Sequence, residues 1–191
     1  MKSNPMHNVR CVPLKPPRVA IFLTDMGWFG LWGRQQIVLG LTIGHAREEN
    51  VRDIVLSRLN IQAAVDSFED VDWNPKLRSR LQRFSSGCEV EFSDIEIQLP
   101  CMTAFQKRVV RATRRVAYGY TISYGQLAAK AGSPRAARAV GNVMATNRFP
   151  VIIPCHRVVA SGGRLGGFSA PQGTDLKQRM LDMESENCVT Q

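Results

Sequence analysis

Acidic residues are missing from more than a third of this 191-residue chain. Between 101 and 170 there is no Asp or Glu, yet the same stretch carries 11 Lys and Arg. Charge of one sign on that scale argues against a merely solvated surface and points to a polyanionic partner. Attraction to phosphates would give affinity without sequence preference, and salt would weaken it. The chain also lacks any C-x-x-C pair. Its 5 cysteines, at 11, 88, 101, 155 and 188, show no short paired spacing. That argues against a cysteine-rich zinc site and against a disulfide framework. Cys11 with His45 is the one weak metal pairing left, and the reading is that no metal is bound. No apolar run approaches the length of a membrane span. Residues 1–17 lack the continuous apolar core of a secretory signal. The expectation is an intracellular protein without a membrane partner, nuclear in a eukaryote and cytoplasmic or nucleoid-associated in a prokaryote. Repeats and low-complexity segments are absent too.

What is present reads as an α+β protein. The hydrophobic fraction of 44% is ordinary for a globular chain. Val19–Thr24, Trp28–Trp32 and Gln36–Ile43 predict three strands, punctuated by Gly27, Gly33 and Gly44, in an antiparallel meander. Glu48–Leu59 predicts a helix with Val51, Ile54, Val55 and Leu59 on one face. Asn74-Pro75 opens another helix, through Phe84. Glu89–Leu99 alternates as a last strand, ended by Pro100. A boundary falls between about Phe84 and Pro100, giving an N-terminal scaffold over 1–92 and a C-terminal domain over 93–191. Trp28 and Trp32 read as core or edge residues, and the N-terminal half offers no chemistry of its own.

The basic half has a recognisable grammar. Thr103 caps a helix to about Ala117, with Phe105, Val109, Ala112 and Val116 inward. Lys107, Arg108, Arg111, Arg114 and Arg115 gather outside, which favours a phosphate-facing role. Ser123 and Gln126 have the spacing of a capping box. Gly132 suits a left-handed helix end. Ser133 and Pro134 then predict the cap and first position of a second helix, from which Arg135 and Arg138 project. Two short helices around a tight glycine turn make a helix-turn-helix.

Beyond it lies Asn147-Arg148-Phe149-Pro150-Val151-Ile152-Ile153-Pro154-Cys155-His156-Arg157-Val158-Val159. Val151-Ile152-Ile153 has the length and branching of a buried strand. That would hold the Cys155 sulfur at the end of a rigid element. Cationic or hydrogen-bonding neighbours can stabilise a thiolate, although a lone cysteine is more often a small buried hydrophobe. Along an extended strand Cys155 and His156 face opposite ways, so they cooperate only if the chain turns.

The segment Ile153-Pro154-Cys155-His156-Arg157-Val158 resembles the active-site motif of the O6-alkylguanine-DNA alkyltransferases. Phe105-Gln106, Tyr118-Gly119, Ser123-Tyr124-Gly125-Gln126-Leu127-Ala128, Arg138-Ala139-Val140-Gly141 and Asn147 precede it in the family's order, so the resemblance spans about Met102 to Glu184. It implies an RNase H-like N-terminal sheet with helices, and a winged-helix-like C-terminal domain containing the helix-turn-helix. It implies single-turnover transfer of an alkyl group from O6-alkylguanine in double-stranded DNA to Cys155, after the base is flipped out. Neither a metal nor a diffusible cofactor takes part. A water would relay the thiol proton to His156, and Glu184 would orient the imidazole. Glu186 is the alternative carboxylate if the helix register slips. Asn147 would brace the turn at the cysteine, Tyr124 would hydrogen-bond the base, and Arg157 would support the fold.

Arg138 would fill the gap left by the flipped base. Arg135, Ala137, Ser123, Thr103, Arg111 and Arg115 would contact DNA. Met144, Pro150, Val158, Gly166, Gly167, Phe168 and Ser169 would form the base pocket. The sequence departs from the family at Phe168, where tyrosine is common, at Ala170-Pro171-Gln172-Gly173, a longer link, and at Arg148, where proline is common. The rivals are a non-catalytic lesion-binding protein, a cysteine-histidine hydrolase and a plain DNA-binding regulator. Cys155, the basic half and the cysteine motif, respectively, argue against them. The resemblance implies a monomer in solution. It leaves open cooperative assembly on DNA, O4-alkylthymine repair and the range of alkyl sizes.

Overall fold

A computed structural model of the chain describes residues 17–59 and 71–188. Cys11 and the rest of 1–16, on which the zinc pairing and the leader reading fall, lie outside the described residues. Three strands, β1 (Arg18–Thr24), β2 (Gly27–Arg34) and β3 (Ile37–His45), form an antiparallel meander in the order β1-β2-β3. Gly33 is not a break. It lies inside β2, paired with Arg18 and Val38, with the Trp73 ring packed where a side chain would be. Helices α1 (Glu48–Leu59) and α2 (Pro75–Ser85) follow. The side chain of Asn74 caps α2 by accepting from the Leu77 amide.

The segment from Glu89 to Leu99 does not make the expected strand. It bends at Ser93-Asp94, where the Ile95 amide turns back to the Phe92 carbonyl. Only Ile97 bridges to β3, in parallel with Val38. Arg114 holds the bend by donating to the carbonyls of Phe92, Ser93 and Ile95.

The C-terminal half is built on α3 (Ala104–Thr113), α4 (Tyr124–Lys130) and α5 (Ala137–Ala145), which pack on one another. Both α3 and α4 open with complete capping boxes, Thr103 with Gln106 and Ser123 with Gln126. Gly132, at φ +79°, ends α4. The amide of Gly132 reaches the Ala129 carbonyl and that of Ser133 reaches Ala128, the paired bonds of a Schellman motif. The second helix starts later than expected. Ser133 accepts from the Ala136 amide in a turn through Pro134-Arg135, and α5 begins only at Ala137 with no side-chain cap. The fixed φ of proline suits the second position of a turn as well as the start of a helix.

Strands β4 (Ile122–Ser123) and β5 (Val158–Val159) pair in parallel. They fasten the start of α4 to the chain just after Cys155. Helix α6 (Gly173–Cys188) follows, and its Lys177 reaches the Val158 carbonyl of β5. One apolar cluster runs from Ala20 in β1 to Met180 in α6, so the halves share a continuous core. No described helix is long and apolar enough to cross a membrane.

Candidate active site

The apolar run before Cys155 is not a strand. Val151 sits at φ +70°, a left-handed conformation that costs a branched residue roughly 1–2 kcal/mol. The amide of Ile152 bonds Pro150, that of Ile153 bonds Phe149 and that of Cys155 bonds Ile153. These tight turns end in a single 3-10 turn, Cys155–Arg157. Phe149, Val151, Ile152 and Ile153 are all buried. The run therefore serves burial rather than extension, and the sulfur and the imidazole can serve one site because the chain turns between them.

Asn147 pins this loop. Its Oδ1 accepts from the Phe149 amide at 3.0 Å, and its Nδ2 donates to the Ile153 carbonyl at 3.0 Å and to Cys155 Sγ at 3.1 Å. The loop is also hung on the sheet, because the Leu41 amide of β3 donates to the Arg148 carbonyl at 2.9 Å.

His156 is fully buried, and its Nε2 lies 2.8 Å from Glu184 Oε1. A nitrogen facing a carboxylate carries the proton, which leaves Nδ1 with the lone pair. Nδ1 has no hydrogen-bond partner within the protein. Arg157 grips the same carboxylate, with Nε 2.9 Å from Oε2 and Nη2 2.9 Å from Oε1, while its Nη1 donates to the Val116 carbonyl at 2.6 Å. The Gly119 amide donates to Glu184 Oε2 at 3.2 Å. Burial raises the Glu184 pKa, but the bonds from His156 and Arg157 outweigh it and hold the carboxyl at about 2. Burial pushes His156 down, against the pull of Glu184, so the imidazole is neutral and able to accept a proton.

Burial pushes the Cys155 thiol up, while Asn147, Lys177 and local backbone amides pull it back. Lys177 is the residue that sequence reasoning missed. Its side chain is fully buried, and Nζ donates to the Val158 carbonyl at 2.6 Å and lies 5.9 Å from the centre of the Tyr124 ring. A lysine on a charged helix reads as surface. The available signal was spacing: Leu176, Lys177, Met180 and Glu184 share one buried face of α6. Tyr124 packs against the Gly166 backbone, where an added Cβ would sit 2.3 Å from the hydroxyl. Burial raises the pKa of that hydroxyl, followed by the nearby Cys155.

A cavity of about 570 Å³ opens on Cys155, with Asn147, Pro150, Phe168 and Ser169 in its wall. The other expected pocket residues lie elsewhere. Met144 packs beside Thr113, Val158 is buried with its carbonyl on Lys177, Gly166 backs Tyr124, and Gly167 is exposed. Of the expected DNA contacts, Arg135, Arg138, Thr103, Arg111 and Arg115 are exposed, and Ser123 and Ala137 are partly so. Arg108 and Arg114 are spent on backbone carbonyls of the fold, which leaves fewer cations on α3 for a partner. Among the described residues no cluster of three His, Cys, Asp or Glu could hold a metal.

The family model for the DNA-binding domain of 6-O-methylguanine DNA methyltransferase matches residues 104–186. A methylated-DNA–protein-cysteine methyltransferase of Mycobacterium leprae is 37% identical over 139 residues, covering 69% of this chain and 82% of that protein. One from Methanothermobacter thermautotrophicus is 39% identical over 110 residues, 57% of this chain and 60% of that protein. The chain thus spans less than two thirds of that relative's length. The O6-methylguanine methyltransferase structure of Mycobacterium tuberculosis has a TM-score of 0.70 at 28% identity, covering 89% of this chain and 93% of that one. A structure from the same organism in complex with DNA has a TM-score of 0.69 at 27% identity, covering 88% and 93%. The fold is that of the O6-methylguanine methyltransferase structures it matches. The chain belongs to the methylated-DNA–protein-cysteine methyltransferase family.

Proposed function

We propose that this protein repairs DNA by moving an alkyl group from O6-alkylguanine onto Cys155, once per molecule. The reading rests chiefly on one observation. A buried thiol held by Asn147 is followed in the same tight turn by an imidazole whose Nε2 is held by Glu184 and whose Nδ1 has no hydrogen-bond partner within the protein. A water between Cys155 and His156 Nδ1 would carry the thiol proton to the imidazole, and Glu184 would stabilise the imidazolium. Lys177, fully buried, would hold the resulting thiolate electrostatically. Sγ then attacks the alkyl carbon, and the Sγ–C bond forms as the C–O6 bond breaks. The electron pair leaves with guanine, which gains the proton that the thiol lost. Tyr124 would donate a hydrogen bond to the flipped base. The thioether has no good leaving group, so the reaction stops.

The partner reading is double-stranded DNA, bound by a monomer. Arg135, Arg138 and Ala137 on α5, Ser123 at the start of α4, and Thr103, Arg111 and Arg115 around α3 would meet the duplex, with Arg138 filling the gap left by the base. The similarity to a structure in complex with DNA supports this, as does the basic half. On the same reading residues 1–92 form an RNase H-like unit, 93–191 a winged-helix-like unit, and the protein works inside the cell. A non-catalytic lesion binder would have no use for the array around Cys155. The test is stoichiometry. With excess oligonucleotide carrying one O6-methylguanine, repair should plateau at one lesion per protein. Continued turnover, or no repair, would defeat the reading.

A further inference from the structure

The link Ala170-Pro171-Gln172-Gly173, where the sequence departs from the family, has no part in the chemistry above, yet it is built as a clasp. The Gly173 amide donates to the Ala170 carbonyl at 2.8 Å. That bond closes a four-residue turn whose second position is Pro171, where the fixed φ of proline fits. The third position, Gln172, sends its side chain back to the N-terminal sheet. Its Nε2 donates to the Gly44 carbonyl at 2.7 Å and to the Met26 carbonyl at 3.4 Å. Gly44 sits at φ +75°, and an added Cβ would lie 2.4 Å from Leu176 Cδ2 and 3.3 Å from Gln172 Nε2. Glycine is what lets the sheet come this close to the clasp. Leu176 is buried against it, and Arg179 donates to the Asp25 carbonyl at 2.8 Å. The start of α6 is thus fastened to the β1–β2 turn and the end of β3, while Lys177 and Glu184 of the same helix reach Val158 and His156.

The clasp joins two parts of one wall. Phe168 and Ser169, just before the turn, line the cavity on Cys155, as do Ala170 and Pro171 within it. Ile43 of β3 lines the same cavity, and Gln172 ends on the carbonyl of the next residue, Gly44. We propose that Gln172 is a positioning residue for alkyl transfer: by tying the segment 168–171 to β3, it fixes the wall that holds the flipped base in line with Sγ. The proposal rests on Cys155 being the alkyl acceptor. It gives the N-terminal sheet a part in the reaction although the sheet supplies no reacting atom. A single hydrogen bond from an exposed side chain adds little to stability. A reacting group displaced by about 1 Å, in contrast, can lose about a hundredfold in rate.

The test uses the full chain and two variants. Gln172→Met keeps the length of the side chain and removes the donor, and Gln172→Lys keeps a donor. Single-turnover repair of an oligonucleotide carrying O6-methylguanine is followed against oligonucleotide concentration. The rate of Cys155 alkylation by iodoacetamide and the urea midpoint are measured alongside. Gln172→Met should lower the limiting repair rate by about tenfold. Its half-saturating concentration, set mainly by phosphate contacts, should stay within about threefold of wild type. Iodoacetamide needs the thiol but not the wall, so its rate should stay within about twofold. The urea midpoint should change little, because the residue is exposed. Gln172→Lys should return the limiting rate to within about threefold of wild type. The charge that lysine adds acts on the half-saturating concentration, so the limiting rate decides. A wild-type limiting rate in Gln172→Met would overturn the proposal, whatever its urea midpoint. So would Gln172→Lys as slow as Gln172→Met. An equal loss in the iodoacetamide rate would place the effect on the thiol rather than the wall, which also overturns it. If wild type reacts with iodoacetamide at Cys155 but leaves O6-methylguanine untouched, the acceptor reading falls and the clasp falls with it; a loss confined to the variants leaves that reading intact.

Discussion

Replacing Glu184 with Gln probes the buried array most sharply. The carboxylate is 1% exposed and accepts from His156, from two nitrogens of Arg157 and from the Gly119 amide. Its pKa falls from 4.5 to about 2 on folding. A carboxyl with a depressed native pKa contributes stability that is present above the unfolded value and is lost as pH falls through the folded one. The drop corresponds to about 3 kcal/mol at neutral pH. Glutamine keeps the shape and removes the charge. It leaves the Arg157 guanidinium with one side-chain acceptor oxygen in place of a carboxylate, beside its bond to the Val116 carbonyl, and a buried pair broken on one side costs about 3–5 kcal/mol. Urea unfolding near pH 7 should therefore show Glu184→Gln less stable by about 3 kcal/mol. Repeated between pH 4.5 and 2, the gap should close as wild type takes up the proton that the variant cannot bind. A gap below about 1 kcal/mol at neutral pH, the size of an ordinary substitution, would refute the reasoning. So would a gap that stays constant into acid.

Two further outcomes follow from the same geometry. Lys177→Met should move the pH midpoint for alkylation of Cys155 by iodoacetamide upward, because the ammonium now lowers that thiol's pKa; the Cys155 peptide mass gives the readout, since Cys88 and Cys101 are exposed and will also react. Gly166→Ala would put a carbon 2.3 Å from the Tyr124 hydroxyl, so Tyr124 must shift, and alkyl transfer should slow by about tenfold or more while the urea midpoint changes little; an unchanged rate would mean that Tyr124 has no part in the reaction.

What could be read from the sequence was what local chemistry decides. The cap at Thr103, the capping box at Ser123, the left-handed Gly132 and the span of α1 depend on neighbours a few residues away, and all were legible. Apart from the late start of α5, a local turn at Pro134, the misreadings share a cause: a tertiary partner outweighed a local preference. Val151-Ile152-Ile153 has the composition of a strand, but Asn147 and the hydrogen bond from Leu41 to Arg148 fold it into turns. Glu89–Leu99 alternates, yet Arg114 holds it bent. Arg108 and Arg114 looked like two more phosphate contacts, and a helix pattern cannot show that distant carbonyls claim them. The pairing of His156 with Glu184, with the helix register that brings Glu184 rather than Glu186 to the imidazole, was expected from the family resemblance, and the two side chains lie 2.8 Å apart. Lys177 and the N-terminal cavity wall were hidden, because each exists only once the halves pack.

The central claim is that one sulfur is the acceptor. Protein incubated with an oligonucleotide containing O6-methylguanine should be digested and its peptides weighed. The peptide holding Cys155 should gain one methyl group, and those holding Cys88 and Cys101 should gain none. A methyl group on another residue, or an unmodified Cys155 after the DNA has been repaired, would contradict the account.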